Sequence, residues 1–155
     1  NTLSFSANEA SSFECSLDSA GVSLCASPMT VSGLADGAHK FEVRGTDLAG
    51  NISTVSSVTW TVDTVPPVVT ALTLVVARNS VTVNWTTNEA STSQVNWGAG
   101  TSTANSTVED TALVTSHSVV VSGLTASTIY TVMAVGHDQA GNAYISAKKQ
   151  FRTSP

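Results

Sequence analysis

Apolar and polar residues alternate with a period of two along much of this chain. The pattern runs through Leu3-Ser4-Phe5-Ser6-Ala7, Phe41-Glu42-Val43-Arg44 and Val58-Thr59-Trp60-Thr61-Val62. It returns in Val81-Thr82-Val83-Asn84-Trp85-Thr86, in His117-Ser118-Val119-Val120-Val121 and in Tyr130-Thr131-Val132-Met133-Ala134. Successive side chains of a strand point to opposite faces, so each stretch predicts a strand with one face turned inward. Turn residues recur about every ten positions, and many short strands at that spacing predict an all-β fold of antiparallel sandwich type.

Three landmarks occur twice. Asn8-Glu9-Ala10-Ser11 recurs as Asn88-Glu89-Ala90-Ser91, and Val31-Ser32-Gly33-Leu34 as Val121-Ser122-Gly123-Leu124. Asp47-Leu48-Ala49-Gly50-Asn51 recurs as Asp138-Gln139-Ala140-Gly141-Asn142. The spacings of 80, 90 and 91 residues have the length of a domain and are too long for a solenoid repeat. The order implies two tandem modules, residues 1–64 and 65–155. Aligned, they set Phe5 against Trp85, His39 against Tyr130 and Trp60 against Phe151, so rings recur at matching places in each expected core.

The apolar run 68–76 that opens the second copy has no counterpart in the first. The first module is therefore expected to lack its leading strand and to leave an opening edge short of a backbone partner. Either the chain was cut there, or another chain supplies the strand by addition to that edge. Between the copies, Pro66 and Pro67 favour a short, stiff joint.

Composition narrows the function. Of 155 residues, 45 are Ser or Thr and 21 are Val, whereas 11% are charged, with a net charge of −5. That mixture suits half-buried pleated surface. The six Lys and Arg residues are scattered and form no patch to neutralise phosphates, so nucleic acid is not an expected partner. No apolar run approaches the roughly 18 residues of a membrane-spanning helix, and membrane insertion is not expected. The N-terminus lacks the pattern of a signal peptide. The chain reads as a segment of a longer protein, with adjacent domains as its first partners.

Cys15 and Cys25 flank the turn-rich stretch Leu17-Asp18-Ser19-Ala20-Gly21. A turn centred near Ala20 sets the two cysteines face to face across a hairpin, where a disulfide can close; two free buried thiols are the alternative.

Phe13-Glu14-Cys15-Ser16-Leu17-Asp18, Cys25-Ala26-Ser27-Pro28, the stretch Ser32 to Arg44, the Asp47 motif and Trp60-Thr61-Val62-Asp63 resemble the bacterial Ig-like repeats of large secreted and surface proteins. The second copy resembles a fibronectin type III module, on the stretch Val83 to Gly98, Gly123-Leu124, Tyr130 and the Asp138 motif. Its opening is also similar to the small sandwich that precedes the catalytic domain of some metallophosphatases. The resemblance implies spacers, adhesive stalks or accessory modules of secreted enzymes. It also implies a tyrosine corner at Tyr130, with its hydroxyl bonded to nearby backbone, and gives His39 the same place in the first copy.

Candidate chemistry is sparse. The three histidines are expected on separate strands, no Gly-Xaa-Ser-Xaa-Gly stretch occurs, and no enzyme activity is expected. Calcium is the one cofactor considered: Glu9, Asp47, Asn51 and Asp63 are the candidate oxygen ligands at one end of the first module. Turn chemistry explains the Asp-to-Asn repeat without any metal and is the favoured reading, with Asp capping the loop backbone and glycine taking positive φ. Carbohydrate binding needs an exposed ring, and Trp97, beside the inserted loop 99–110 with Thr101 and Asn105, is the candidate; packing over the sheet edge is the other role open to Trp97.

The expected function is that of a non-catalytic extracellular spacer in a secreted or surface-anchored bacterial adhesive protein. The alternative is a binding module for a cell-surface glycan or protein, either an adhesin tip or an accessory domain of a secreted enzyme.

Overall fold

Every regular element of the computed structural model is a β-strand, and no helix occurs among the described residues, 1–9 and 11–155. Ala10, the third residue of the first Asn-Glu-Ala-Ser motif, lies outside them. The chain divides into two compact units, Asn1–Asp63 and Thr64–Pro155.

The first unit contains β1 (Thr2–Leu3), β2 (Ser11–Leu17), β3 (Ser23–Cys25), β4 (Met29–Thr30), β5 (Gly37–Asp47) and β6 (Ser56–Val62). Four of these form an antiparallel sheet in the order β3-β2-β5-β6, and β1 pairs with β4 in a second, two-stranded sheet. The register sets Cys15 beside Val43, Leu17 beside Phe41, Phe41 beside Val58, and His39 beside Trp60. These residues share the inner face, as their period-two spacing requires. The opposite face carries the charges: Arg44 meets Glu14 at 2.7 Å across the strands, and Lys40 pairs with Glu42. Among the described residues of this unit, buried apolar ones are few, namely Cys15, Val31 and Phe41. Phe5 adds an edge-to-face contact with Phe13 at 5.1 Å between ring centroids and lies 5.9 Å from Phe41.

One expectation changes here, and the opening edge takes a definite form. The alternation over residues 3–7 predicts a full strand, but the ladder ends at Leu3 because the Ser27 hydroxyl takes the N–H of Phe5 at 2.9 Å. The opening strand is also paired on one side, Thr2 with Thr30 and Leu3 with Met29. Its other side has no ladder partner among the described residues.

Cys15 and Cys25 are disulfide-bonded, with a Cα–Cα distance of 5.8 Å. They lie diagonally rather than face to face, because Cys15 pairs with Ser23 and Cys25 with Phe13. The turn is set earlier than Ala20: Asp18 and Ser19 both take positive φ, and the Ala20 N–H donates to the Leu17 carbonyl. Asp18 is pinned there, its carboxylate accepting from the Lys40 backbone N–H and the His39 ring, each within 2.8 Å.

The second unit is organised around one long strand. It contains β7 (Val69–Val76), β8 (Ser80–Ala99), β9 (Asn105–Ser106), β10 (Asp110–Ser122), β11 (Ile129–His137), β12 (Ala143–Ile145) and β13 (Lys149–Arg152). The first half of β8 pairs with β7 and β10, and its second half with β11 and β9. β11 in turn pairs with β12 near its C-terminal end and with β13 near its start. Val81, Val83 and Trp85 from one half of β8 bury with Val95 from the other, together with Val121, Leu124, Tyr130, Val132, Ala134 and Tyr144. The alternation noted from Val81 ends at Thr86, whereas the strand continues to Ala99. Its irregularity appears in the partners instead, as register shifts in β10 around Val114 and in β7 between Val69 and Ala71.

The disulfide closes a loop of sequence separation 10, and the chain-entropy model assigns such a loop about 2–3 kcal/mol. Reduction is expected to lower the unfolding transition of the first unit by that amount and to leave the second unit's transition in place. Calorimetry with and without reductant tests this; an unmoved first transition would mean that the loop does not restrict the unfolded chain.

Candidate functional site

Where β8 passes from one sheet to the other, its side chains turn polar and stay buried. Thr87, Ser91, Thr92 and Ser93 are all buried, with Ser91 at 0% exposure. A buried hydroxyl is costly unless bonded, and each of these is. Thr87 Oγ1 donates to the Glu89 carbonyl at 2.6 Å and contacts His117 Nε2 at 3.0 Å. Ser91 donates to Thr87, and Ser93 Oγ lies 2.7 Å from His117 Nδ1. The His117 ring stacks flat on Trp85, with centroids 4.8 Å apart and planes 5° apart. Burial alone holds its pKa below the ordinary value.

A second chain of bonds leaves the same crossing. Trp85 Nε1 donates to the Tyr144 hydroxyl at 3.0 Å, and that hydroxyl donates to the Thr92 carbonyl at 2.8 Å. Burial raises the Tyr144 pKa, which keeps the phenol protonated as a donor. Thr92 Oγ1 donates to Glu109 at 2.7 Å and accepts from the His137 backbone N–H at 3.0 Å, with His137 Nδ1 at 2.9 Å. Thr, His and Glu thus stand together, as in a nucleophile and its base. Yet Thr92 is 2% exposed, and its hydroxyl is consumed by three internal contacts. The group fastens β8 to β11 and presents no nucleophile. Sequence reading missed both clusters, although the density of Thr and Ser from Thr86 to Ser93 in a strand context was the available signal.

The expected turn chemistry is present in both copies. Asp47 Oδ1 accepts from the backbone N–H groups of Ala49 and Asn51, and Oδ2 from the Asn51 side chain at 2.7 Å. The Asn51 side-chain bond is the chief cause that lowers the Asp47 pKa. Asp138 repeats the arrangement with the Asn142 backbone and side chain at 2.9 and 2.8 Å. Burial pushes its carboxyl up, and the bonds from Asn142 and the neighbouring backbone outweigh that and leave it lowered. Gly50 and Gly141 take positive φ in these turns.

Of the four candidate calcium ligands, Glu9, Asp47 and Asn51 line one open cleft of the first unit with Phe5, Phe13 and Arg44. Asp63 follows β6, whose seven residues from Ser56 to Val62 carry the chain roughly 20 Å from the end of that strand bordering the cleft. Trp97 is half-buried, pairs with Val132 and Asn105, and packs on Tyr130 at 6.1 Å. Thr101 and Asn105 are exposed on the β8–β9 hairpin. That hairpin is tight at its base: a Cβ on Gly98 would lie 2.8 Å from the Ser102 carbonyl oxygen. The tyrosine corner forms, with the Thr125 N–H donating to the Tyr130 hydroxyl at 3.0 Å. His39 fills the matching place by meeting the Ala35 carbonyl at 2.8 Å.

No protein-family profile and no curated protein sequence matches the chain. Solved structures similar to it include the FN1-FN3 domains of chicken CNTN1, at 15% identity and a TM-score of 0.51, over 94% of this chain and 57% of that one. Domains A168-A170 of titin align at 15% identity and a TM-score of 0.60, over 94% and 55%. The chain thus spans little more than half the length of these structures. The likeness shows the fold, an all-β architecture of the Ig-like and fibronectin type III kind.

Gly136 sits against the polar crossing, where a Cβ would come 2.4 Å from the Thr92 carbonyl oxygen and 2.8 Å from the Tyr144 ring. Gly136→Ala is expected to destabilise the second unit by about 1–3 kcal/mol through overpacking. Denaturant unfolding measures it, and a neutral result would show that the Thr92 backbone yields.

Proposed function

We propose that the chain is a non-catalytic, extracellular structural segment of a secreted or surface-anchored adhesive protein, of the bacterial kind its sequence resembles. One observation carries this reading: the side chains with the most chemical potential are committed to internal bonds. Thr92, His117 and Tyr144 hold one strand crossing, and Asp47 and Asp138 hold two turns. Modules of the Ig-like and fibronectin type III kind act generally as structural and interaction units, and function in such folds resides in added sites. The disulfide supports an oxidising compartment, and low charge keeps the surface from being steered toward charged partners.

A binding role has one observation in its favour, the exposed Thr101 and Asn105 beside Trp97. Trp97 itself packs on Tyr130, which favours the spacer. A screen of the whole chain against glycans and matrix proteins, in calcium and again in chelator, separates the two. The spacer reading expects no saturable binding and no calcium-dependent change in melting temperature. A hit abolished by Trp97→Ala in protein that still folds would replace it with the binding-module reading, and a calcium-dependent rise in the first unit's melting temperature would favour Glu9, Asp47 and Asn51 as ligands.

A further inference from the structure

Two histidines of this chain are bonded for opposite protonation states. His39 on β5 directs Nδ1 at Asp18 Oδ2, 2.7 Å away, and Nε2 at the Ala35 carbonyl oxygen, 2.8 Å away. A carboxylate and a carbonyl can only accept. Both ring nitrogens must therefore donate, and only the imidazolium carries two N–H groups. A neutral ring would set one nitrogen lone pair against an oxygen lone pair within 3 Å.

His117 on β10 faces hydroxyls instead. The Thr87 proton is committed to the Glu89 carbonyl, so Thr87 Oγ1 accepts from Nε2–H. Ser93 then donates to the bare Nδ1. The neutral Nε2–H tautomer satisfies every partner, and a second ring proton would have to displace the Ser93 hydroxyl hydrogen in a site that is 3% exposed.

The surroundings reinforce the contrast. Around His39 the facing acid is Asp18 on the β2–β3 turn, the facing ring is Trp60 of β6 at 5.9 Å, and Asp36 follows Ala35 in the loop. Lys40 turns to the other sheet face, where Glu42 pairs with it. His117 packs against Trp85, Thr87 and Ser93 of β8 and the Tyr144 ring of β12 at 6.4 Å. Glu109 acts on Tyr144 and is tied to Thr92 and His137.

We propose that the two units respond to acidification in opposite directions: a charged His39 fastens the β2–β3 turn and the Ala35 loop of the first unit, whereas a charged His117 loosens the β8–β10 packing of the second. The sign follows from linkage. The Asp18 hydrogen bond raises the His39 pKa above the ordinary 6.5. Its contribution is full below 6.5 and is lost as pH rises through the raised value. The same bond lowers Asp18 below its ordinary 3.8, so that partner stays ionised until far more acid conditions. Burial lowers His117 below 6.5; its unit is fully stable above 6.5 and loses stability as pH falls through the lowered value.

Imidazole resonances of the whole oxidised chain, followed by NMR from pH 4.5 to pH 9 and assigned through bond correlations, test this directly. The expected result is a His39 titration above 6.5, a His117 titration below it, and an Nε2–H tautomer for neutral His117. Thermal unfolding from pH 7.5 to pH 5.5 should move the first unit's transition up and the second unit's down, with each shift removed separately in His39→Gln and His117→Gln. Titration of both rings on the same side of 6.5, or opposed shifts that survive both substitutions, would overturn the proposal. If His117→Gln does not fold, the resonances of the unaltered chain decide the matter alone.

Discussion

The second unit depends on one strand serving two sheets. β8 runs through twenty residues, Ser80–Ala99, and its halves contribute to both walls of a single core. Such a strand must turn where it crosses, and its backbone and side chains are then buried without a regular ladder on both sides. Every polar atom placed there has to find a bond or lose the free energy of hydration. Thr87, Ser91, Thr92 and Ser93 meet that requirement with short hydroxyls that reach backbone carbonyls, histidine nitrogens and one another. Leucine at these positions would bury more apolar area but would take the hydroxyl partners from both His117 ring nitrogens and from the His137 backbone N–H. The crossing, not the apolar core alone, fixes which strands β8 meets.

The first unit meets a different constraint, since it is small and has little buried apolar surface to stabilise it. Its inner face depends on Phe5, Phe13 and Phe41, packed edge-to-face and at a tilt, and on the disulfide beside Phe13. Asp18 links these parts: its carboxylate fastens the hairpin turn to β5 through both the Lys40 N–H and the His39 ring. A chain of this size cannot rely on burial, so covalent closure and charge-assisted bonds carry a larger share than in the second unit.

Much of this was legible in the sequence, and the reason is local. The Asp47 and Asp138 turns and the Cys15–Cys25 hairpin involve residues near in the chain, although the hairpin turns earlier than the spacing placed it; the Tyr130 corner was implied by the resemblance. The unbroken course of β8 was not legible. Asn88-Glu89-Ala90-Ser91 has the composition of a turn, and only long-range partners such as His117, His137 and Tyr144 turn it into buried strand. Phe5 shows the same limit in reverse: its alternation is that of a strand, and a hydroxyl 22 residues away ends the ladder before it. Trp97 was read as a ring at a strand end, but whether such a ring covers a core or faces solvent depends on its diagonal neighbour Tyr130.

The low charge of the chain gives these bonds their weight. With 11% of residues charged, few ion pairs are available, and specificity must come from hydroxyls and imidazoles. Hydroxyls are neutral at all ordinary pH values and satisfy partners without the desolvation cost of a charge. Histidine is the exception, because its bonding partners choose its protonation state. Beside a carboxylate and a carbonyl it is held as a cation, and between a committed threonine and a free serine it is held neutral. A fold that replaces surface charge with buried hydroxyl networks therefore concentrates its sensitivity to solution conditions in its few imidazoles.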